Sequence, residues 1–223
     1  MTVRASRSFP LKRNHGHMCL VPNEKDNSHE AVIMIHGMGR TSLSMISPAI
    51  FLRGKGFTVF LYGYPSTRHG IGTHADKFLN FLRKTVQDDF TRIHFVTHSL
   101  GGIVARLALA NFANPKIGRM VMTAPPNQGS VKANAISKIP FASKLLAPLA
   151  ELKNEEDSFV KTIPVPNMEI GVIAGMRDGK VKIGESHLEG EKAHLTVNSR
   201  HSFIMNRKDV KDAIFRFIKN GTF

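Results

Sequence analysis

Cysteine is nearly missing from this chain of 223 residues. Cys19 stands alone, which excludes an internal disulfide and agrees with a reducing compartment. No grouping of cysteines and histidines has zinc-ligand spacing, so no metal is expected. Acidic residues are also scarce: 17 Asp and Glu stand against 31 Lys and Arg, for a net charge of +14. No apolar run approaches the roughly 20 residues that span a bilayer. The opening stretch 1–13 carries Arg4, Arg7, Lys12 and Arg13 without an acid, and it lacks the continuous apolar core of a secretory signal. A soluble, cytoplasmic protein is the expectation. Internal repeats and low-complexity linkers are absent as well.

The basic excess favours anionic partners. Its Lys and Arg residues are scattered, however, and no aromatic-basic RNA motif or helix-turn-helix pattern occurs, which argues against nucleic acid. An anionic membrane surface, an acidic substrate or a plainly basic surface remain. What the chain has in quantity is ordinary globular material, with 42% hydrophobic residues, 18 glycines and 11 prolines. Its length suits one domain over 1–223.

Apolar runs and amphipathic stretches alternate along the chain. Strands are expected at 17–22, 31–35, 57–61, 93–96, 118–123, 167–175 and 193–197. Helices are expected at 44–53, with Thr41 or Ser42 as cap, then at 71–86, 103–110 and 209–220, the last stopped by Gly221. The run Ala31-Val32-Ile33-Met34-Ile35 has no polar alternation, as in a strand buried on both faces of a parallel sheet. Repeated strand–helix units give an α/β fold with a mostly parallel sheet and helices on both faces. Residues 130–162 break this rhythm. Their apolar positions Ile136, Ile139, Phe141, Leu145, Leu146, Leu149 and Leu152 fit either a cap over the site or a crossover packed on the sheet.

In such sheets ligands sit at the carboxyl ends of the strands. Four strand-exit loops therefore converge: His36-Gly37-Met38-Gly39-Arg40, residues 62–66, the turn at Ser99, and 125–129. Ser99 stands between a β-branched strand and a helix, where a nucleophile is most exposed. Gly101 follows two residues later, but Thr97 holds the earlier position where glycine is usual. A serine hydroxyl needs a histidine to take its proton and a carboxylate to hold that histidine. The loops after the last two strands supply Asp178 and His201, in the order serine, acid, histidine. His194 lies inside a strand and His187 in a polar loop, so His201 is preferred over both. Asp178 is preferred over Glu185, Glu189 and Asp157 because it lies just past a strand end. Oxyanion donors follow as the backbone N–H groups of Leu100, next to the nucleophile, and of Met38, in the glycine-flanked loop. His36 is expected to brace its loop and His98 to pack beside the serine.

Together, His36-Gly37-Met38-Gly39, Thr97-His98-Ser99-Leu100-Gly101-Gly102, Asp178-Gly179 and His201 resemble the α/β-hydrolase superfamily, in its small lipase and esterase branch. The resemblance spans about 31–201. It implies an eight-strand sheet or a trimmed version of it, a serine-hydrolase mechanism on carboxylic esters or lipids, and no cofactor. An acyltransferase or thioesterase on the same triad, and a catalytically silent binding protein on the same fold, are the alternatives it leaves.

Overall fold

The computed structural model describes residues 11–24, 27–137, 146–155 and 158–223. The apolar runs pair into one eight-stranded sheet. A hairpin of β1 (Leu11–Asn14) and β2 (His17–Leu20) forms one edge. Next come β4 (Thr58–Tyr62), β3 (Glu30–Ile35), β5 (Arg92–His98), β6 (Ile117–Thr123), β7 (Ile170–Gly175) and β8 (Ala193–Val197), in that spatial order. The hairpin joins antiparallel to β4, and every later pairing is parallel.

Strand β1 precedes 17–22, the first strand expected from sequence. Its signal is the turn between β1 and β2, where His15 (φ 48°) and Gly16 (φ 83°) both take positive φ. This is the two-residue pattern that matches the twist of paired strands.

Both faces of the sheet are covered because its central strands are apolar on both. Helices α2 (Ile71–Thr85) and α3 (Leu100–Leu109) contribute to the cluster on one face, with Phe78, Phe81 and Ile103 against Phe60, Tyr62 and Phe95. Helices α1 (Ile46–Arg53) and α7 (Lys208–Asn220) contribute to the other, with Leu52, Ile214 and Phe217 among Val59, Val96 and Val121. Gly221 ends α7 in the left-handed region at φ 78°, its N–H bonded to Phe217 O at 2.8 Å, as the stop signal predicts.

The start of α1 differs from expectation. A 3-10 turn over Ser42–Met45 precedes the helix, and Thr41 makes no side-chain cap. The hydroxyl that engages there is that of Ser44, which donates back to Thr41 O at 2.7 Å, the local side chain–backbone competition typical of serine.

Between β6 and β7 the described chain forms α4 (Val131–Ser137), a 3-10 turn (Ala147–Leu152) and α5 (Phe159–Thr162). Ile139, Phe141, Leu145, Asp157, Arg4 and Arg7 fall outside the described residues. A short α6 (Ile183–Ser186) lies between β7 and β8. Among the described residues no helix is long and apolar enough to cross a membrane.

Candidate active site

Strand β5 ends at His98 and α3 begins at Leu100, so Ser99 alone makes the turn. It does so at φ 52° and ψ −125°, a region that residues with a Cβ rarely occupy. Its neighbours hold it there: the Ser99 N–H donates to Thr123 O at 2.9 Å, and its carbonyl accepts from Gly102 N–H at 2.9 Å. Gly101 is obligatory, since a Cβ there would lie 2.5 Å from Ile35 O and 2.6 Å from His36 O. Gly37 is also pressed, its added Cβ falling 2.9 Å from His98 Nδ1 and 3.1 Å from Ser99 Cβ.

Thr97, in place of the usual glycine, is fully buried. Its room comes from Gly102, where a Cβ would stand 3.1 Å from Thr97 Oγ1 and 2.6 Å from Met122 Cε. Thr97 and Gly102 thus exchange bulk across the turn. The residual cost is a buried Thr97 hydroxyl with no hydrogen-bond partner among the described residues.

Asp178 leaves β7 and His201 leaves β8. The two loops are tied by Met176 N–H to Val197 O at 2.9 Å and Arg177 N–H to Ser199 O at 3.0 Å. His201 Nδ1 lies 2.7 Å from Asp178 Oδ2, and its Nε2 lies 3.0 Å from Ser99 Oγ. The Asp178 side chain is 0% exposed. Its other oxygen, Oδ1, accepts from the N–H groups of Lys180 (2.7 Å) and Val181 (2.9 Å). A carboxylate at Nδ1 fixes the proton on that nitrogen and turns the Nε2 lone pair toward the Ser99 hydroxyl. The arrangement is chemically able to take a proton from Ser99.

Two further histidines hold this frame, in the roles expected of them. Burial keeps His98 well below the ordinary histidine pKa, with the nearby His201 acting in the same direction. It is therefore neutral, and its Nε2–H donates to His201 O at 3.0 Å. His36 is also lowered by burial. Its Nε2 accepts from Tyr64 N–H at 3.4 Å, so its Nδ1–H donates to Gly37 O at 2.9 Å. Tyr64 O–H donates back to His36 O at 2.9 Å, with the two rings stacked 4.5 Å apart.

Met38 and Ser99 border one groove of about 360 Å³. Leu100 opens α3, where an N–H has no partner within the helix. In the facing loop the N–H after Met38, that of Gly39, is taken by Ser66 Oγ at 3.0 Å. Ala133, Ile136, Leu146, Leu149, Leu152 and Val181 give the groove its apolar wall, and Arg40, Lys132 and Lys180 stand on its lining. Residues of α4 and of the 3-10 turn, within 130–152, thus face the site. Arg40 lies 5.8 Å from the Phe203 ring, and none of the three cations has a carboxylate within salt-bridge distance among the described residues.

Residues 32–176 match the Alpha/beta hydrolase family. The chain belongs to that family. Its eight-stranded, mostly parallel sheet is the alpha/beta hydrolase fold shared with solved lipases and esterases. The Bacillus licheniformis lipase BlEst2 superposes in its mature form with a TM-score of 0.68 at 16% identity, over 91% of this chain and 94% of that one. Its propeptide form gives 0.75 at 16% identity over 93% of this chain, which spans 53% of that longer protein. A Pyrococcus furiosus esterase gives 0.62 at 19% identity, over 91% and 85% of the two chains. No curated protein matches the sequence.

None of the described competitors of Asp178 and His201 stands on the groove lining. Glu185 is buried and accepts from Val131 N–H and Lys182 N–H, both at 2.8 Å, so it fastens the start of α4. Glu189 is exposed. His187 and His194 stack 3.9 Å apart and both meet Glu191, with none of the three on the groove lining. Their spacing, His-x3-Glu-x2-His, escapes a reading that looks for cysteine and histidine clusters alone.

Sequence reasoning also missed Arg106 and Asn127. Arg106 is 2% exposed. It donates to Asn127 Oδ1 at 3.1 Å and to Ile163 O at 2.6 Å, and Asn127 in turn donates to Ser186 O at 2.8 Å. Burial lowers the Arg106 pKa to about 10, so it remains a cation at neutral pH. An arginine inside the otherwise apolar run of α3 was the signal available.

Proposed function

We propose that this hydrolase-family chain is a carboxylic-ester hydrolase working through an acyl-serine. The observation that carries the reading is the continuous hydrogen-bonded chain Ser99–His201–Asp178. Ser99 Oγ attacks the ester carbonyl while His201 Nε2 takes its proton, and Asp178 stabilises the imidazolium that forms. The oxyanion is met by the N–H groups of Met38 and Leu100. His201 then passes the proton to the departing alcohol. In the second half it deprotonates the water that releases the acid and restores Ser99. Replacing Ser99→Ala is expected to lower kcat on short p-nitrophenyl esters by at least about 10⁴-fold while the unfolding midpoint holds. Turnover equal to that of the parent protein defeats the mechanism.

The groove favours a more specific reading, an ester with an acyl chain presented at an anionic interface. Its wall is apolar, and its charged lining residues Arg40, Lys132 and Lys180 are all cationic. The part of 130–162 that borders it acts as a cap in this reading. Turnover on dispersed anionic lipid is expected to exceed that on the same acyl chain in neutral lipid and to fall with salt. Equal rates on both surfaces reject the interface while leaving ester hydrolysis intact.

A further inference from the structure

Outside the groove, the turn between α6 and β8 brings two imidazoles and a carboxylate onto one point. His187 Nδ1 lies 2.7 Å from Glu191 Oε1, and His194 Nδ1 lies 2.8 Å from the same oxygen. All three donor atoms fall within 4.8 Å of one another. Gly190, at φ 75°, lets the chain double back, and Glu191 N–H closes the turn on Leu188 O at 3.0 Å. The other carboxylate oxygen, Oε2, is held by Leu188 N–H at 3.1 Å, so Oε1 is turned to the rings by a backbone contact rather than by chance rotation.

Neither ring has another polar contact among the described residues. The remaining nitrogen of His194 is buried without a partner, so that ring is oriented by the cluster itself. Glu191 and His194 are nearly enclosed, at 11% and 14% side-chain exposure, whereas His187 is 52% exposed and opens the cluster to solvent. Without an ion, both rings must place a proton on Nδ1 to satisfy one carboxylate oxygen.

We propose that His187, Glu191 and His194 form a binding site for a zinc-class divalent cation, distinct from the esterase site. Two imidazole nitrogens and one carboxylate oxygen are a donor set suited to Zn²⁺ and its borderline neighbours rather than to Ca²⁺ or Mg²⁺. The ion takes the place of the two Nδ1 protons, and each ring stays neutral by carrying its proton on Nε2 instead. The two nitrogen–oxygen separations open to about 3.4 Å, as tetrahedral zinc with bonds near 2.1 Å requires, and water reaches the fourth position from the exposed side. The Leu188 N–H on Oε2 is the outer contact that orients the carboxylate. Bound there, the ion ties the 187–191 turn to edge strand β8, the strand that leads to His201. The site stands apart from the ester chemistry and does not depend on it.

The test uses the full chain, free of any histidine tag and stripped with a chelator. Zn²⁺ is titrated in with calorimetry and thermal unfolding as readouts, and Co²⁺ is used as a visible-absorption probe of coordination. One equivalent is expected to bind, to raise Tm, and to give Co²⁺ bands of four-coordinate intensity. His187→Ala and Glu191→Gln should each weaken binding at least about tenfold. His187 is exposed, so its variant keeps the fold, and its metal-free Tm checks this. Uptake by the parent no tighter than by a His187→Ala/His194→Ala double variant, or an equal Tm shift in both, overturns the proposal.

Discussion

At the scale of single residues, the serine turn is an exchange of space. The bulk of Thr97 is matched by the missing side chain of Gly102, so the turn keeps its path without the usual glycine. The threonine hydroxyl has no hydrogen-bond partner among the described residues and sits fully buried. Thr97→Ala therefore removes one orphaned polar atom, a gain, and one packed methyl, a loss of similar size. Stability within about 1 kcal/mol of the parent and an unchanged kcat on short esters are expected, and denaturant unfolding with an ester assay measures both. A large drop in kcat would mean that Thr97 takes part in positioning Ser99. From sequence, Thr97 read as a departure from pattern. Its compensation was hidden because Gly102 and Met122 meet it only after β5, β6 and α3 are packed. Ser99, Asp178 and His201 were legible because each follows a strand end, and strand ends are visible in apolar runs.

At the scale of elements, the clamp of Arg106 explains how α3 is fastened to the loops around the groove. One guanidinium reaches Asn127 after β6 and Ile163 after α5, and Asn127 passes the connection on to Ser186 in α6. Arg106→Met preserves length and apolar contact but strands the two acceptors. The expected cost is about 1–3 kcal/mol, partly offset by relief of a buried charge. Amide exchange should rise around 126–129 and 158–163 while the central strands stay protected, and exchange left unchanged in both loops argues against the clamp. The strands β3 to β7 were readable as elements because buried parallel strands carry continuous apolar runs, and the partly buried edge strand β8 by its apolar and β-branched residues between polar loops. The hairpin strand β1 was not: its four residues Leu11–Asn14 carry two cations and their pairing depends on the turn at His15-Gly16. The Glu191 cluster was equally silent, since its members come together only through the Gly190 turn.

At the scale of the whole molecule, histidine decides how the fold meets acid. Burial depresses the pKa of His94 to about 3 and of His74 to about 4, and lowers His17, His36 and His98 as well. In the unfolded chain these groups titrate near 6.5. Above that pH neither state is protonated and the groups cost nothing. Below it the unfolded chain takes up protons that the folded chain refuses, so stability falls as pH drops through about 6.5 toward the folded values. Each fully silent histidine costs about 2 kcal/mol at pH 5, and self-repulsion of a chain carrying +14 acts in the same direction. Tm should therefore be several degrees lower at pH 5 than at pH 7.5, and a flat profile across that range rejects the account. The spatial order of the strands, β1-β2-β4-β3-β5-β6-β7-β8, carries one more consequence, in time rather than in space. Met38, Ser99, Asp178 and His201 leave four different strands, and their sequence separations make every contact among them a long loop closure. Until β7 and β8 dock, Ser99 therefore lacks its contact to His201, and in the proposed mechanism hydrolytic competence arises last.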